Sequence, residues 1–364
     1  MTAEPALQIG LIGCGRVAQM RHLPILSKLR GIQLVAIADR DPKTLSQVGK
    51  QYPIALQYYS HTAMLDDPKV NAVLVCTPPQ DHHLHARDVL LSGKHLYLDS
   101  PLAITLAECD ELVALAKQAG CVATVGLNLR WHSQVQRARR DIEAGRVGTV
   151  QAISSIFTTP SRGLRGDVFP PWRRAASVEG SVFGESSIQH FDIWRVLTGA
   201  QFSEVSVQSP VLGGPVSLTA RLQPPGAGSA TPIAVGAVFS EYSSDNNEIR
   251  VIGSHGTLSL SLYRFNGYRY QAALASPGSA GAYLGAFAES IRSLPQGFSN
   301  LIQQGEYGTT FRRQLEAFVA ACRGDRSEIV SMEDGRAATV AALAAYESMA
   351  TGRRIVIDQG RACS

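Results

Sequence analysis

The chain has 364 residues, enough for two domains of ordinary size. Apolar residues make up 45% and charged residues 18%, which excludes a disordered chain and allows a sizeable core. The net charge of +4 comes from basic residues in short pairs (Arg139-Arg140, Arg173-Arg174, Arg312-Arg313) and not from a stripe, which argues against a nucleic-acid surface.

Six cysteines are scattered with no CxxC spacing, so neither a zinc knuckle nor a redox pair is written here, and no metal is expected. Cys14, Cys76 and Cys121 lie in apolar segments and read as small buried hydrophobes of a reducing compartment. The N-terminal "MTAEPALQIGLIG" lacks a basic n-region, and no apolar run approaches a membrane span. A cytoplasmic protein is expected.

The first third alternates strand-like and helix-like segments. Apolar runs at 7–13, 33–39, 71–79, 95–101 and 121–128 read as five strands of a parallel sheet covered on both faces. Between the last two, "TLAECDELVALAKQAG" opens on a Thr105–Glu108 capping box and keeps helical spacing. The pattern predicts a doubly wound α/β domain over 6–127.

The turn after the first strand is Gly13-Cys14-Gly15-Arg16-Val17-Ala18, a G-x-G-x-x-A. Gly13 permits the tight turn, Gly15 lets the backbone approach a pyrophosphate, and Ala18 lets the next helix pack closely. An acid, Asp39, stands at the tip of the second strand, which completes the context of a dinucleotide fingerprint. Asp39 can accept both ribose hydroxyls and would repel a 2′-phosphate. Arg16 and Arg40 could instead receive that phosphate, so NAD is expected and NADP stays open.

From residue 128 the texture changes. "RWHSQVQRARRDIEAGRVG" reads as a helix closed by glycine. Alternating runs at 150–159, 204–213, 233–243 and 247–265 predict a largely antiparallel open sheet, with "IGSHGT" as a hairpin turn. Two helices close the chain. The second domain is expected over 128–364. Tyr263, Arg264, Phe265, Tyr268 and Tyr270 form an aromatic–basic edge suited to a subunit interface or a substrate rim.

Several of these landmarks together resemble the glucose–fructose oxidoreductase / inositol dehydrogenase / rhizopine-catabolism family (Gfo/Idh/MocA). "VCTPPQDHHLHARDVLLSGKHLYLDSPLA" resembles its T-P-x-x-x-H…GKH…E-K-P segment, and "PWRRAASVEGSVFGESSIQHFDIWRVLTG" its W-R…G-G-G…D-x-x-x-H segment. The resemblance implies a Rossmann domain, a second α/β domain whose open sheet supports a homodimer or homotetramer, and hydride transfer between NAD(P) and a carbohydrate or cyclitol hydroxyl. By the same correspondence Thr77, Pro78, His82, Asp99 and Asn128 border the nucleotide. Trp172 and Arg173 would lean over it.

The departures are specific. Ser100 stands where the family normally carries a catalytic Lys, and Lys94 is on the order of 20 Å away along the strand, too far to substitute. His190 matches the catalytic His, but four residues earlier stands Ser186 in place of Asp, with Glu185 rotated about 100° around the helix. His190 is therefore expected as general base, with Ser100 and Ser186 as hydrogen-bonding substitutes. The reading this gives is an NAD(P)-dependent oxidoreductase of a sugar, cyclitol or related polyol with an atypical site. Two alternatives stay open: a glycosidase- or lyase-type enzyme working by transient oxidation, and a non-catalytic nucleotide- or sugar-binding protein.

Overall fold

A computed structural model describes residues 6–160, 182–209, 214–226, 231–264, 266–273, 306–358 and 361–363, with isolated positions between 279 and 291. The backbone of 182–186, 306–307 and 361–363 is described without their side chains. The chain divides into two compact units. The first is Met1–Asn128 with Thr310–Thr339, and the second is Leu129–Thr309 with Val340–Ser364.

The first unit is built on a six-stranded, wholly parallel sheet. Its strands are β1 (Leu7–Ile12), β2 (Ile32–Ala38), β3 (Leu56–Tyr58), β4 (Ala72–Val75), β5 (His95–Asp99) and β6 (Ala123–Gly126), ordered β3-β2-β1-β4-β5-β6. The reversal of strand order between β1 and β4 is the topological switch point at which such sheets bind ligands, beyond the carboxyl ends of the strands. Ile9, Leu11, Ile37, Val73, Leu74, Leu96 and Leu98 are fully buried, the near-continuous apolar pattern that a sheet covered on both faces requires. The helices include α1 (Leu23–Leu26), preceded by a π-wound turn at Ala18–His22, then α2 (Pro42–Gln51), α3 (His61–Leu65), α4 (His82–Leu91) and α5 (Leu106–Ala119). The Thr105–Glu108 capping box forms at the start of α5, and the helix ends on a left-handed Gly120.

Two features differ from the sequence reading. The sheet has a sixth strand, β3, only three residues long and without a continuous apolar run. The segment Thr310–Thr339 also returns to the first unit, where Phe311, Leu315, Phe318 and Ala321 join the core of Ile9, Leu11, Leu74 and Tyr97. An expected boundary placing everything beyond 128 in one domain does not describe that return.

The second unit carries a nine-stranded sheet ordered β13-β12-β11-β7-β10-β9-β8-β14-β15, antiparallel throughout except for the β7–β10 pair. Its central strands are β7 (Val150–Thr158), β8 (Gln201–Gln208), β9 (Val216–Gln223), β10 (Ile233–Ser240) and β11 (Asn246–Gly253). β12 (Gly256–Ser261), β13 (Tyr268–Ala272), β14 (Ile355–Asp358) and β15 (Arg361–Cys363) complete it. Alternate residues of β9 and β10 are buried and exposed in turn, so one face packs and the other is open. Helices α6 (Ser133–Glu143) and α7 (Val182–Thr198) belong to this unit, while α8 (Glu306–Cys322) and α9 (Met332–Thr351) each run across a division between the units. No helix among the described residues is long and apolar enough to cross a membrane.

Candidate active site

The strand ends of the first unit bring the predicted nucleotide residues together. Gly13 has φ +89°, and a Cβ there would lie 2.8 Å from the Cys76 carbonyl oxygen, so this turn requires glycine. A Cβ added to Gly15 would meet nothing within 4 Å, which leaves the backbone of that turn open to a ligand. Arg16 and Val17 are exposed, and Ala18 is fully buried against the sheet, as the three-position fingerprint demands. Asp39 follows β2 directly. One carboxylate oxygen accepts from Cys14 N at 2.7 Å and the other from Asp41 N at 2.8 Å, which fixes the acid beside the glycine turn. Arg40 lies next to it on the surface.

At the end of β4, Thr77 and Pro78 are half-buried. The Thr77 hydroxyl pairs with His85 Nδ1 at 3.1 Å, and its carbonyl oxygen lies 2.8 Å from His82 Nε2. His82 opens α4 as expected, yet it is 1% exposed and its other ring nitrogen, Nδ1, lies 2.7 Å from the Pro101 carbonyl oxygen. Both ring nitrogens are thus engaged by backbone carbonyls.

At the end of β5, Asp99 accepts from His22 Nε2 at 3.1 and 3.3 Å. His22 is fully buried, whereas the Asp99 side chain keeps 16% of its surface. Burial raises the Asp99 carboxyl, but His22, His82 and the Cys76 thiol outweigh it and hold the acid below its usual range. Burial, with the same negative charge beside it, pushes the Cys76 thiol well up. His22, Cys76 and Asp99 have donor atoms within 4.8 Å of one another, but Asp99 already bonds both of the others, and we assign no metal. Ser100 is half-buried beside Asp99, at the strand end that the sequence singled out.

The other expected site residues are placed as follows. Asn128 is buried, with its amide donating to the Thr310 hydroxyl at 2.7 Å, so it braces the returning segment. Trp172 and Arg173 lie outside the described residues, as does the side chain of Ser186. Tyr268, at the start of edge strand β13, is 3% exposed, bonds Asp141 and lies under the Arg137 guanidinium at 4.0 Å, so its side chain is packed within its own unit.

His190 is packed more deeply than its expected role as general base suggests. It is fully buried on the face of α7 that packs on the nine-stranded sheet. Its Nδ1 pairs with the Ser155 hydroxyl at 2.7 Å, and Phe239, Phe157 and Trp194 stand around the ring at centroid distances of 5.5, 5.7 and 6.2 Å. Nε2 is buried without a partner among the described residues. Burial pushes the imidazole down to about 3, so the ring is neutral at ordinary pH. Its surroundings in the second unit are those of a packed ring.

Sequence reasoning missed its neighbour. Gln189, half-buried and about 100° around the helix, accepts from Leu129 N at 3.3 Å. Glu185 sits one turn earlier on the same stripe. The signal was available: His190, Ile193, Trp194 and Leu197 fall at i, i+3, i+4 and i+7, all within 3% of complete burial, so His190 belongs to the apolar stripe. Asp192 was missed too; it is buried and takes a two-pronged ion pair from Arg130, with both contacts at 2.5 Å.

With this geometry in place, comparison with known proteins is direct. A model of an oxidoreductase family with an NAD-binding Rossmann fold matches residues 7–127, and the C-terminal α/β-domain model of the same family matches 139–357. The chain belongs to the Gfo/Idh/MocA family. A myo-inositol 2-dehydrogenase of Thermotoga maritima is 23% identical over 97% of this chain and 99% of its own length. A 1-carboxy-3-chloro-3,4-dihydroxycyclohexa-1,5-diene dehydrogenase of Comamonas testosteroni is 33% identical over 55% of this chain, and the match spans only 49% of that protein. Among solved structures, scyllo-inositol dehydrogenase from Lactobacillus casei with bound NAD(H) and scyllo-inositol superposes with a TM-score of 0.74 at 19% identity, covering 96% of this chain and 99% of that one. An oxidoreductase domain protein from Kribbella flavida gives 0.80 at 19% identity, covering 98% and 100%. These two show the shared fold. The protein is an NAD-dependent oxidoreductase with a Rossmann domain followed by an α/β domain.

Proposed function

We propose that this member of the family oxidises a secondary hydroxyl on a six-membered ring that carries adjacent hydroxyls, a cyclitol, sugar or related cyclic diol. The observation that carries the reading is the polar pair Asp99–Ser100 at the carboxyl end of β5, set beside the glycine turn and Asp39 of an NAD-binding sheet. The relatives named above act on inositols and on a dihydroxycyclohexadiene, which share that ring pattern.

The residues present fit NAD. The Gly13–Ala18 turn, with open space at Gly15, would receive the pyrophosphate, and Asp39 would take the adenosine ribose hydroxyls. The Asp39 charge favours NAD over NADP. NAD, when bound, supplies the hydride acceptor.

The rest of the work falls to the chain's own groups. Asp99, ionised and braced by the buried His22, offers a carboxylate oxygen as the acceptor for a hydroxyl proton. Ser100 offers a short hydroxyl that orients the ring oxygen where an ammonium is usual. His190 takes no part.

The open face of the nine-stranded sheet exposes Ile156, Val238, Ile252 and Val356, an apolar surface suited to a homodimer or homotetramer. The cysteines Cys14, Cys76, Cys109, Cys121 and Cys322 are free, which suits a reducing compartment such as the cytoplasm. The test is NADH formation with a panel of inositols, aldoses and cyclic diols. Turnover is expected with at least one, falling about a hundredfold in Asp99→Asn. No turnover with any, in protein that binds NADH, rejects the reading.

A further inference from the structure

We propose that His82 is a positioning residue that works as a proton-operated clamp. As imidazolium it ties the Thr77 carbonyl after β4 to the Pro101 carbonyl after β5, and as neutral imidazole it releases one of them.

The argument is a count of protons. Nδ1 lies 2.7 Å from the Pro101 oxygen and Nε2 lies 2.8 Å from the Thr77 oxygen. Both partners are backbone carbonyls and accept only, so each ring nitrogen must donate. A neutral imidazole has one N–H and one lone pair, and a lone pair facing a carbonyl oxygen at that distance is repulsive. The geometry seen is therefore that of the charged ring. Its 1% exposure denies water the chance to mediate either contact.

The surroundings make the proton conditional. Burial opposes the charge and prevails, so His82 titrates below the ordinary histidine range. Against burial stand the two carbonyls and the carboxylates of Asp99 on β5 and Asp81 before α4. His85, one turn along α4 and close to His61, adds a like charge only if it is itself protonated, and burial pushes it down to about 4. His22 lies behind Asp99 and shares its charge. The clamp therefore closes as pH falls and opens as pH rises.

What it holds matters for the cofactor. Thr77 is gripped at its hydroxyl by His85 and at its carbonyl by His82, while Ser100 directly precedes the residue whose carbonyl is clamped. A ligand that fits the closed strand ends favours the charged ring. By reciprocity, a rise of one pKa unit in His82 on binding corresponds to about a tenfold tighter complex at acid pH. This inference rests on the nucleotide site described above.

The test is a ¹⁵N-histidine NMR titration of the full chain between about pH 5 and 8, without and with NADH, alongside NADH affinity measured by fluorescence. The His82→Gln spectrum assigns the signals. At the acid end both His82 nitrogens are expected to carry protons, its midpoint to rise with NADH, and NADH to bind about tenfold more tightly than at the alkaline end. In His82→Gln, which cannot titrate, that pH dependence is expected to vanish. A His82 that stays a neutral single tautomer throughout, or a midpoint that NADH leaves unchanged, overturns the proposal. If NADH fails to bind at any pH, the nucleotide reading falls, while the titration without NADH still decides whether the ring charges in its clamped geometry.

Discussion

Replacing His190 with Phe separates a core histidine from a catalytic one. The ring is fully buried, and burial pushes its titration from 6.5 down to about 3. A depressed value in the fold means that the unfolded chain takes up the proton first. The neutral ring's contribution is thus fully present above about pH 6.5 and is lost progressively as pH falls toward 3. Each pH unit in that window costs about 1.4 kcal/mol, so roughly 2 kcal/mol is lost by pH 5. Phenylalanine keeps the ring contacts with Phe157, Phe239 and Trp194 and cannot titrate. It leaves the Ser155 hydroxyl without its imidazole partner, a cost of about 1 kcal/mol that is independent of pH. All three tryptophans, at 131, 172 and 194, belong to the second unit, so urea unfolding followed by their fluorescence reports that unit. Wild type is expected to lose about 2 kcal/mol more than His190→Phe between pH 8 and pH 5. With any ring alcohol that turns over, kcat of the variant should stay within about threefold of wild type, against a loss of about 10²–10⁴ for a missing general base. A hundredfold loss of kcat with an unchanged stability slope would refute the placement of His190.

Other outcomes follow from the same geometry. Gly15→Ala adds a methyl group into open space, so thermal stability should hold while NADH affinity falls at least about tenfold. Asp39→Ala frees the amides of Cys14 and Asp41 and is expected to weaken NADH about tenfold or more and to narrow the preference for NADH over NADPH, read by fluorescence titration with both cofactors. Asp192→Asn removes the buried carboxylate that pairs with the partly buried Arg130 guanidinium and should destabilise the second unit by about 3 kcal/mol in urea unfolding.

The parts of the fold that local physics determines were legible from residues alone. Gly13, Gly15 and Asp39 carry their constraints in neighbouring positions, and the Thr105–Glu108 box needs only one turn of helix. Strand β3 escaped because three residues at a sheet edge need no apolar run of their own. The return of Thr310–Thr339 escaped because it depends on Phe311, Leu315 and Phe318 finding a core hundreds of residues away. At α7 the resemblance drew attention to a histidine, while the helical stripe through His190, Trp194 and Leu197 already marked that histidine as apolar-facing. The dual carbonyl grip on His82 joins residues from two strand ends, and no local pattern announces it.

The account stands most directly on NADH production by the purified protein incubated with NAD and a panel of inositols, aldoses and cyclic vicinal diols. Oxidation of at least one ring alcohol is expected, surviving His190→Phe and falling about a hundredfold in Asp99→Asn. Turnover that is lost with His190→Phe but unaffected by Asp99→Asn would contradict it.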